Sequence, residues 1–201
     1  MSTRGFRPKH GGGPPGRVPP GQYVVTDFPV LSAGPTPRSP LAAWTFTLED
    51  EQGRQLNRWS WEELLALPTT ELTVDIHCVT KWSKLGTRWK GVSFDQLLRA
   101  ASREPPTPYV MAFCDGGYTT NLPVADLRGD RAIIAYEYDG APLDPEHGFP
   151  ARLLVPHLYF WKSAKWVRGL RFMPTNSPGF WETHGYHIQG DPWKEQRYDG
   201  D

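Results

Sequence analysis

Cys78 is one of only two cysteines in the 201-residue chain, and it lies in the stretch VDIHCVTKWS, residues 74–83. A lone cysteine at a strand end is most often a small buried hydrophobic residue. Three kinds of chemistry compete with that interpretation. Cys78 is a nucleophile with a histidine base, a zinc ligand, or a single thiolate ligand to a redox metal.

The sequence around Cys78 does not favour the first two kinds of chemistry. His77 is adjacent, but neighbouring side chains on a strand point to opposite faces, so a histidine base would have to come from elsewhere. Zinc bound by Cys78, His184 and His187 would have three protein ligands at best, and no CxxC or HExxH spacing supports it. A redox metal held mainly by an organic cofactor needs only one cysteine, but it also needs separate residues that bind a large anionic cofactor.

A basic segment further along the chain supplies residues of that kind. The stretch HGFPARLLVPHLYFWKSAKWVRGLRF, residues 147–172, interleaves positive charges with apolar side chains. Guanidinium groups fit phosphate oxygens and lysine supplies a point charge, so this pattern favours a phosphate-binding segment over a solvated basic face. Its basic residues are His147, Arg152, His157, Lys162, Lys165, Arg168 and Arg171.

The elements that must position these residues are short. Ser60 with Glu63, and Ser93 with Gln96, have the spacing of a capping box, which predicts two short helices. Each predicted helix is followed by a predicted strand, and the two cysteines lie near the ends of these two strands.

The remaining patterns favour further strands and many turns. AAWTFTLED alternates apolar and polar residues, which predicts a half-buried strand. YTTNLPVADL, RAIIAYEYDG, ARLLVPHLYFW and AKWVRGLRFM predict more strands, and the stretch from Pro174 onward is an aromatic loop of the kind that often lines a site. We therefore predict an α+β fold of mixed β-sheets with short helices, rich in strands.

Composition limits the classes of function. Acidic and basic residues balance at 22 each, which gives no electrostatic reason to expect nucleic acid or an anionic membrane as partner. No apolar run approaches the roughly 18 residues of a transmembrane helix. Two cysteines favour free thiols in a reducing compartment. We predict a cytoplasmic protein with a disordered Gly/Pro-rich tail over residues 1–20 and a single domain over residues 21–201.

The stretch HGFPARLLVP…SAKW resembles the pterin-binding motif of the sulfite oxidase family of molybdopterin-dependent oxidoreductases, including the Lys-Trp pair thirteen residues after Arg152. DIHCV is similar to the strand that carries the single cysteine ligand of molybdenum in that family, and GTRWKGVSFDQLL resembles the segment after it. TDFPVL and FCDGGY resemble two further segments that contact the cofactor. The resemblance covers roughly residues 22–190, and it implies the sulfite oxidase-type molybdopterin-binding fold.

The resemblance also implies roles for individual residues. Cys78 is the implied ligand of molybdenum, and Tyr186 is the implied tyrosine beside the metal. The implied cofactor is molybdenum–molybdopterin. Its implied binding residues are Thr26, Asp27, Asp115, His147, Arg152, Ser163, Ala164 and Lys165.

One departure from the family bears on the substrate. Animal and plant sulfite oxidases follow the cysteine with two arginines that help to hold sulfite, whereas this chain reads CVTKWS, with Lys81 and Arg88 as the nearest substitutes. CVTKWS is closer to the catalytic subunits of bacterial methionine-sulfoxide reductases. The resemblance therefore implies oxygen-atom transfer on a small substrate, with S-oxide or N-oxide reduction favoured over sulfite oxidation, and a separate protein that donates or accepts electrons. A non-catalytic module that binds a cofactor or partner, and a thiol enzyme centred on Cys78, are the alternatives.

Overall fold

Two β-sheets and four short α-helices, with short 3-10 helices between them, make up the computed structural model, which describes residues 13–101 and 104–201. The helices are α1 (Trp61–Leu65), α2 (Phe94–Ala100), α3 (Val124–Leu127) and α4 (Phe180–Thr183). The strands are β1 (Tyr23–Val24), β2 (Thr45–Glu49), β3 (Gln55–Ser60), β4 (Thr70–His77), β5 (Trp82–Ser93), β6 (Tyr109–Cys114), β7 (Thr119–Pro123), β8 (Ile133–Tyr138), β9 (Ala141–Pro142), β10 (Arg152–Leu154) and β11 (Val167–Met173).

Both sheets are mixed. In the first sheet β5 pairs with β1, β4 and β8, and β8 pairs in turn with β9 and β10. The second sheet has the order β3-β2-β11-β6-β7. The pairs β1–β5 and β2–β11 are parallel and the others are antiparallel. The predicted strand-rich α+β class is confirmed.

The main core takes side chains from both sheets. Phe46 and Leu48 of β2, and Trp44 just before it, are buried on one side, as the alternating pattern predicts. They share one apolar cluster with Val92 of β5 and Ile134 of β8. The two sheets are therefore held against each other by a common core.

The two predicted capping boxes have different outcomes. Ser60 accepts a hydrogen bond from the Glu63 N–H at 3.2 Å, and the Glu63 carboxylate accepts one from the Ser60 N–H at 2.7 Å, so the first box is complete. Ser93 accepts a bond from the Gln96 N–H at 3.3 Å, but the Gln96 side chain accepts from Arg99 instead. The second helix start is capped on one side only.

Two predictions about the elements were wrong in part. The stretch YTTNLPVADL is a strand only as far as Pro123, and it continues as α3. Proline has no N–H to continue a ladder, which explains the end of the strand. The twelve-residue β5 and the strand β3 were not predicted, because their polar and apolar residues do not alternate cleanly.

Part of the predicted N-terminal tail lies against the domain. Arg17 forms a salt bridge with Asp75, and the carbonyl of Pro20 accepts a hydrogen bond from Arg197. Residues 1–12 of the predicted tail lie outside the described residues. Within the described ranges, no helix is long and apolar enough to span a bilayer.

Candidate functional site

A cavity of about 490 Å³ lies among the loops that connect the strands. Eight of the ten predicted site residues line it, namely Cys78, Asp115, His147, Arg152, Ser163, Ala164, Lys165 and Tyr186. Thr26 and Asp27 do not line the cavity, whereas the next two residues, Phe28 and Pro29, do. Residues more than 100 positions apart in the chain are thus brought to one chamber.

Cys78 begins a tight turn between β4 and β5. Its N–H donates to the Trp82 carbonyl at 2.8 Å, and its own carbonyl accepts from the Lys81 N–H at 3.0 Å. Lys81 has a φ of 78°, in the left-handed region, which closes the turn. His77 is buried at the end of β4, with Nδ1 2.9 Å from the Ser83 hydroxyl. His77 is therefore engaged with Ser83, and it does not line the cavity.

The environment of the Cys78 sulfur is buried and holds hydrogen-bond donors. Cys78 lines the cavity although it is only 6% exposed. Burial raises the pKa of Cys78, and hydrogen bonds from Thr80 and from the Val79 N–H act in the opposite direction. The charge of Arg197 also favours the thiolate, and a bound metal cation would stabilise this charged form further.

The zinc interpretation is wrong for the described part of the chain. It holds no cluster of three or more His, Cys, Asp or Glu side chains placed to bind one metal ion. His184 instead lies with Nδ1 2.6 Å from the Phe180 carbonyl, and His187 accepts bonds from the N–H groups of Gln189 and Gly190.

Arg152 is the most enclosed cation of the cavity. Its guanidinium donates to the carbonyls of His147 at 2.8 Å and Ser163 at 2.7 Å, and it lies 4.2 Å from the centre of the Phe160 ring. Burial lowers the pKa of Arg152. Its Nε is buried and has no hydrogen-bond partner in the described structure. Arg152 therefore holds the surrounding loops together, and its Nε remains available to bind a ligand.

Lys165 and His147 lie beside Arg152. Lys165 donates to the carbonyls of Leu31 at 2.7 Å and Glu146 at 2.8 Å, while burial and the nearby Arg152 lower its pKa to about 8. The His147 ring stacks on Phe28 at 3.9 Å, and burial lowers the pKa of this histidine. We call the group of His147, Arg152 and Lys165 the basic end of the cavity.

Ser163 and Asp115 are held by neighbours within the protein. The Ser163 hydroxyl accepts a bond from the Val155 N–H at 2.9 Å, which fixes the loop between β10 and β11. Asp115 accepts from the Ser39 hydroxyl at 2.6 Å and lies 3.6 Å from Arg168. Asp115 therefore ties the segment that follows β1 to the wall of the cavity.

Three other basic residues of the segment have structural partners. Lys162 is buried and forms a salt bridge with Glu182 at 2.6 Å. His157 lies 3.2 Å from Asp126, and Arg171 pairs with Glu49 at 2.7 Å. The basic segment thus divides into residues that line the cavity and residues that hold the fold.

A second group of lining residues, near Cys78, is aromatic. Tyr186 packs edge to face with Trp161 at 5.0 Å and stacks with Trp181 at 4.9 Å. The Trp161 Nε1 donates to the buried Glu182 at 2.8 Å, which anchors α4 to this wall. We call Cys78 with these three rings the aromatic end. Sequence reasoning missed Trp181, and the cluster of aromatic residues in GFWETHGYH was the available signal.

The lining side chains of the aromatic end carry no positive charge, and Arg197 acts on Cys78 from outside the lining. Among the described residues that line the cavity, the only Lys, Arg and His side chains are His147, Arg152 and Lys165. Lys81 and Arg88, the sequence substitutes for the sulfite-binding arginines, do not line it, and Arg88 pairs with Asp139 at 2.6 Å. The aromatic end therefore presents a soft sulfur atom and neutral side chains.

The residues of this cavity fit a molybdopterin. Cys78 offers the soft sulfur ligand that such a metal prefers. Two buried donors without a partner in the described structure, the Arg152 Nε and the Trp82 Nε1, belong to residues that line the cavity. Buried donors normally have a hydrogen-bond partner, so a polar ligand that accepts from these two groups would remove the free-energy cost of leaving them unpaired.

Residues 33–181 match the family model described as oxidoreductase molybdopterin binding domain. The chain is 45% identical over 187 residues to the uncharacterized oxidoreductase YuiH of Bacillus subtilis, covering 92% of this chain and 94% of that one. It is 31% identical over 132 residues to the putative protein-methionine-sulfoxide reductase subunit YedZ1 of Azospira oryzae, covering 66% of this chain and 50% of that protein.

A solved structure has the same fold. The sulfane dehydrogenase SoxCD from Paracoccus pantotrophus superimposes with a TM-score of 0.60 at 21% identity, covering 70% of this chain and 40% of that one. This likeness concerns the fold alone. The chain thus matches nearly the full length of YuiH, and half or less of the other two proteins.

Proposed function

The chain belongs to the sulfite oxidase-like family of molybdopterin-binding oxidoreductases, and on this premise we propose that it catalyses oxygen-atom transfer on a small substrate. Cys78 is the proposed protein ligand of molybdenum. Reduction of an S-oxide or an N-oxide is the proposed direction. Oxidoreductase activity follows from the family, whereas the substrate and the residue roles are proposals.

The two ends of the cavity support different roles. Bound molybdenum–molybdopterin would supply a metal that exchanges two electrons as an oxygen atom is transferred. His147, Arg152 and Lys165 would hold its pterin and phosphate, because they are the basic side chains among the described lining residues, and Arg152 and Lys165 would supply the positive charge. Ser163, Ala164 and Asp115 line the same chamber and would complete the binding surface. Thr26 and Asp27 precede the lining residues Phe28 and Pro29 and do not line the cavity themselves.

The neutral aromatic end is the observation that carries the substrate proposal. An oxyanion such as sulfite would enter a region where the lining residues offer no cation to offset its loss of hydration. A neutral S-oxide or N-oxide has a dipole but no net charge, so it would lose less hydration free energy when it enters the cavity. Burial raises the pKa of Tyr186, so its hydroxyl keeps a proton that it can donate to the substrate oxygen.

We also propose a cytoplasmic location and a separate electron donor or acceptor protein. The two free cysteines support this location, because they suit a reducing compartment.

A dye-linked assay tests the proposed function. The molybdenum-loaded protein is given a reduced viologen with a panel of S-oxides and N-oxides, and separately an oxidising dye with sulfite. We expect kcat/KM for the best oxide to exceed that for sulfite by at least about tenfold, which corresponds to about 1.4 kcal/mol. Preferred oxidation of sulfite would overturn the substrate proposal. Absence of any turnover by fully loaded protein would overturn the proposed oxygen-atom transfer on these substrates.

A further inference from the structure

The turn that carries Cys78 brings a side-chain hydroxyl to its sulfur. The Thr80 Oγ1 donates to the Cys78 Sγ at 3.1 Å. Backbone N–H groups of Val79 and Thr80 also point to this sulfur and favour its charged form. Cys78 is therefore surrounded by donors from the two residues that follow it.

The rest of the turn is held firmly. The Gln22 amide donates to the Cys78 carbonyl at 3.1 Å and its oxygen accepts from the Ser83 hydroxyl at 3.3 Å. The Cys78 N–H is bonded to Trp82 across the turn. Because the backbone is fixed on both sides, the Thr80 hydroxyl lies at a set distance from the sulfur.

We propose that Thr80 is a positioning residue, whose hydroxyl orients the Cys78 sulfur and tunes the reduction potential of the metal bound there. This inference rests on the proposed role of Cys78 as the metal ligand. A hydrogen bond withdraws electron density from a sulfur ligand, which makes the sulfur a weaker donor to the oxidised metal. The bond therefore raises the reduction potential of the centre.

Thr80 is suited to this role by its position. It lines the cavity beside the sulfur and is exposed, so its side chain contributes little to the core. Replacement by valine keeps the branched shape and removes only the hydroxyl. An effect of Thr80→Val on the metal would thus report the hydrogen bond rather than a loss of packing.

The test is a redox titration of the molybdenum-loaded protein, followed by the electron paramagnetic resonance signal of pentavalent molybdenum. Thr80→Val is compared with Thr80→Ser, which keeps the hydroxyl, and with Thr73→Val, the same change at an exposed position of β4. We expect a lower midpoint potential and an altered signal for Thr80→Val. Thr80→Ser and Thr73→Val should match the unmodified protein. Molybdenum content is measured in each variant, so that incomplete loading is not mistaken for a shift.

Cys78→Ser separates failure of this inference from failure of the proposed function. If Cys78→Ser changes the signal and Thr80→Val leaves both potential and signal unchanged, the role of Thr80 is overturned while Cys78 remains the ligand. If Cys78→Ser leaves the signal unchanged as well, the proposed ligand is wrong.

Discussion

Cys78 and Cys114 lie at the ends of two similar helix–strand units, but their surroundings differ. Each follows a short helix capped by serine and then a strand, and they are 6% and 8% exposed. After Cys78 the chain makes a tight turn, and Cys78 lines the cavity. After Cys114 the three-residue helix Asp115–Gly117 lines the cavity, while Cys114 packs in the main core.

The comparison shows that burial does not distinguish a candidate ligand from a core cysteine. Burial raises the pKa of both thiols, and the nearby Asp115 adds to the effect at Cys114. Only Cys78 combines hydrogen-bond donors at its sulfur with access to the chamber that holds the basic end. The turn after the strand, rather than the strand itself, creates this difference.

The largest expected contrast is in turnover. Cys78→Ser should reduce the oxide-reduction rate by at least about 100-fold, because it removes a direct ligand, whereas loss of an outer partner costs 10–100-fold. Cys114→Ser should stay within about threefold of the unmodified protein, since Cys114 does not line the described cavity. Steady-state assays on equally loaded proteins check both. Equal losses in the two variants would break the comparison.

Thiol reactivity sharpens the same contrast. In cofactor-free protein, we expect iodoacetamide to modify Cys78 at least about tenfold faster than Cys114, because thiol reactivity follows access and thiolate character. Loading the cofactor should protect Cys78. Mass spectrometry of timed digests measures both rates. Rapid alkylation of Cys78 in fully loaded protein would support the thiol-enzyme alternative.

Much of the lining of the cavity could be predicted, because one local motif holds five of the lining residues. His147, Arg152, Ser163, Ala164 and Lys165 lie within nineteen positions of one another, and all of them line the cavity. Lys162 belongs to the same segment and was grouped with the phosphate-binding residues. It instead pairs with the buried Glu182, which lies twenty residues further along the chain. A positive charge in sequence does not reveal whether a distant carboxylate will neutralise it.

Contacts that depend on tertiary structure were missed. Thr80 carries no motif, and its bond to Cys78 exists only because the turn closes with Lys81 in a left-handed conformation. Strand β5 has three partners, β1, β4 and β8, so pairing on both sides stabilises a stretch whose own pattern is ambiguous. The half-buried strand β2, by contrast, was predicted because its periodicity is local.

A change of pH should have a smaller effect, and it should act on cofactor binding at the basic end. The pKa of Lys165 is lowered to about 8, so its ammonium form is present below that pH and is lost above it. Cofactor affinity should therefore fall as pH rises beyond about 8, by up to about tenfold per unit. Lys165→Arg, which stays charged, should flatten this dependence. Retention of molybdopterin after gel filtration at several pH values measures the effect, and an unchanged profile in Lys165→Arg would contradict it.

The smallest expected effect is on stability. Here Cys114→Ser should be the more harmful change, whereas Cys78→Ser is the more harmful one for turnover. Cys114→Ser places a hydroxyl in the main core and should lower the free energy of unfolding by about 1–3 kcal/mol. Cys78→Ser faces the cavity and should cost less in cofactor-free protein. Urea unfolding curves compare the midpoints. A greater loss for Cys78→Ser would contradict this order and would show that its surroundings are more apolar than those of Cys114.

The central claim is the bond between the Cys78 sulfur and molybdenum, and X-ray absorption at the molybdenum edge tests it most directly. The account predicts one fewer sulfur neighbour of the metal in Cys78→Ser than in the unmodified protein, and an unchanged sulfur shell in Cys114→Ser. An identical sulfur shell in Cys78→Ser and the unmodified protein would contradict it.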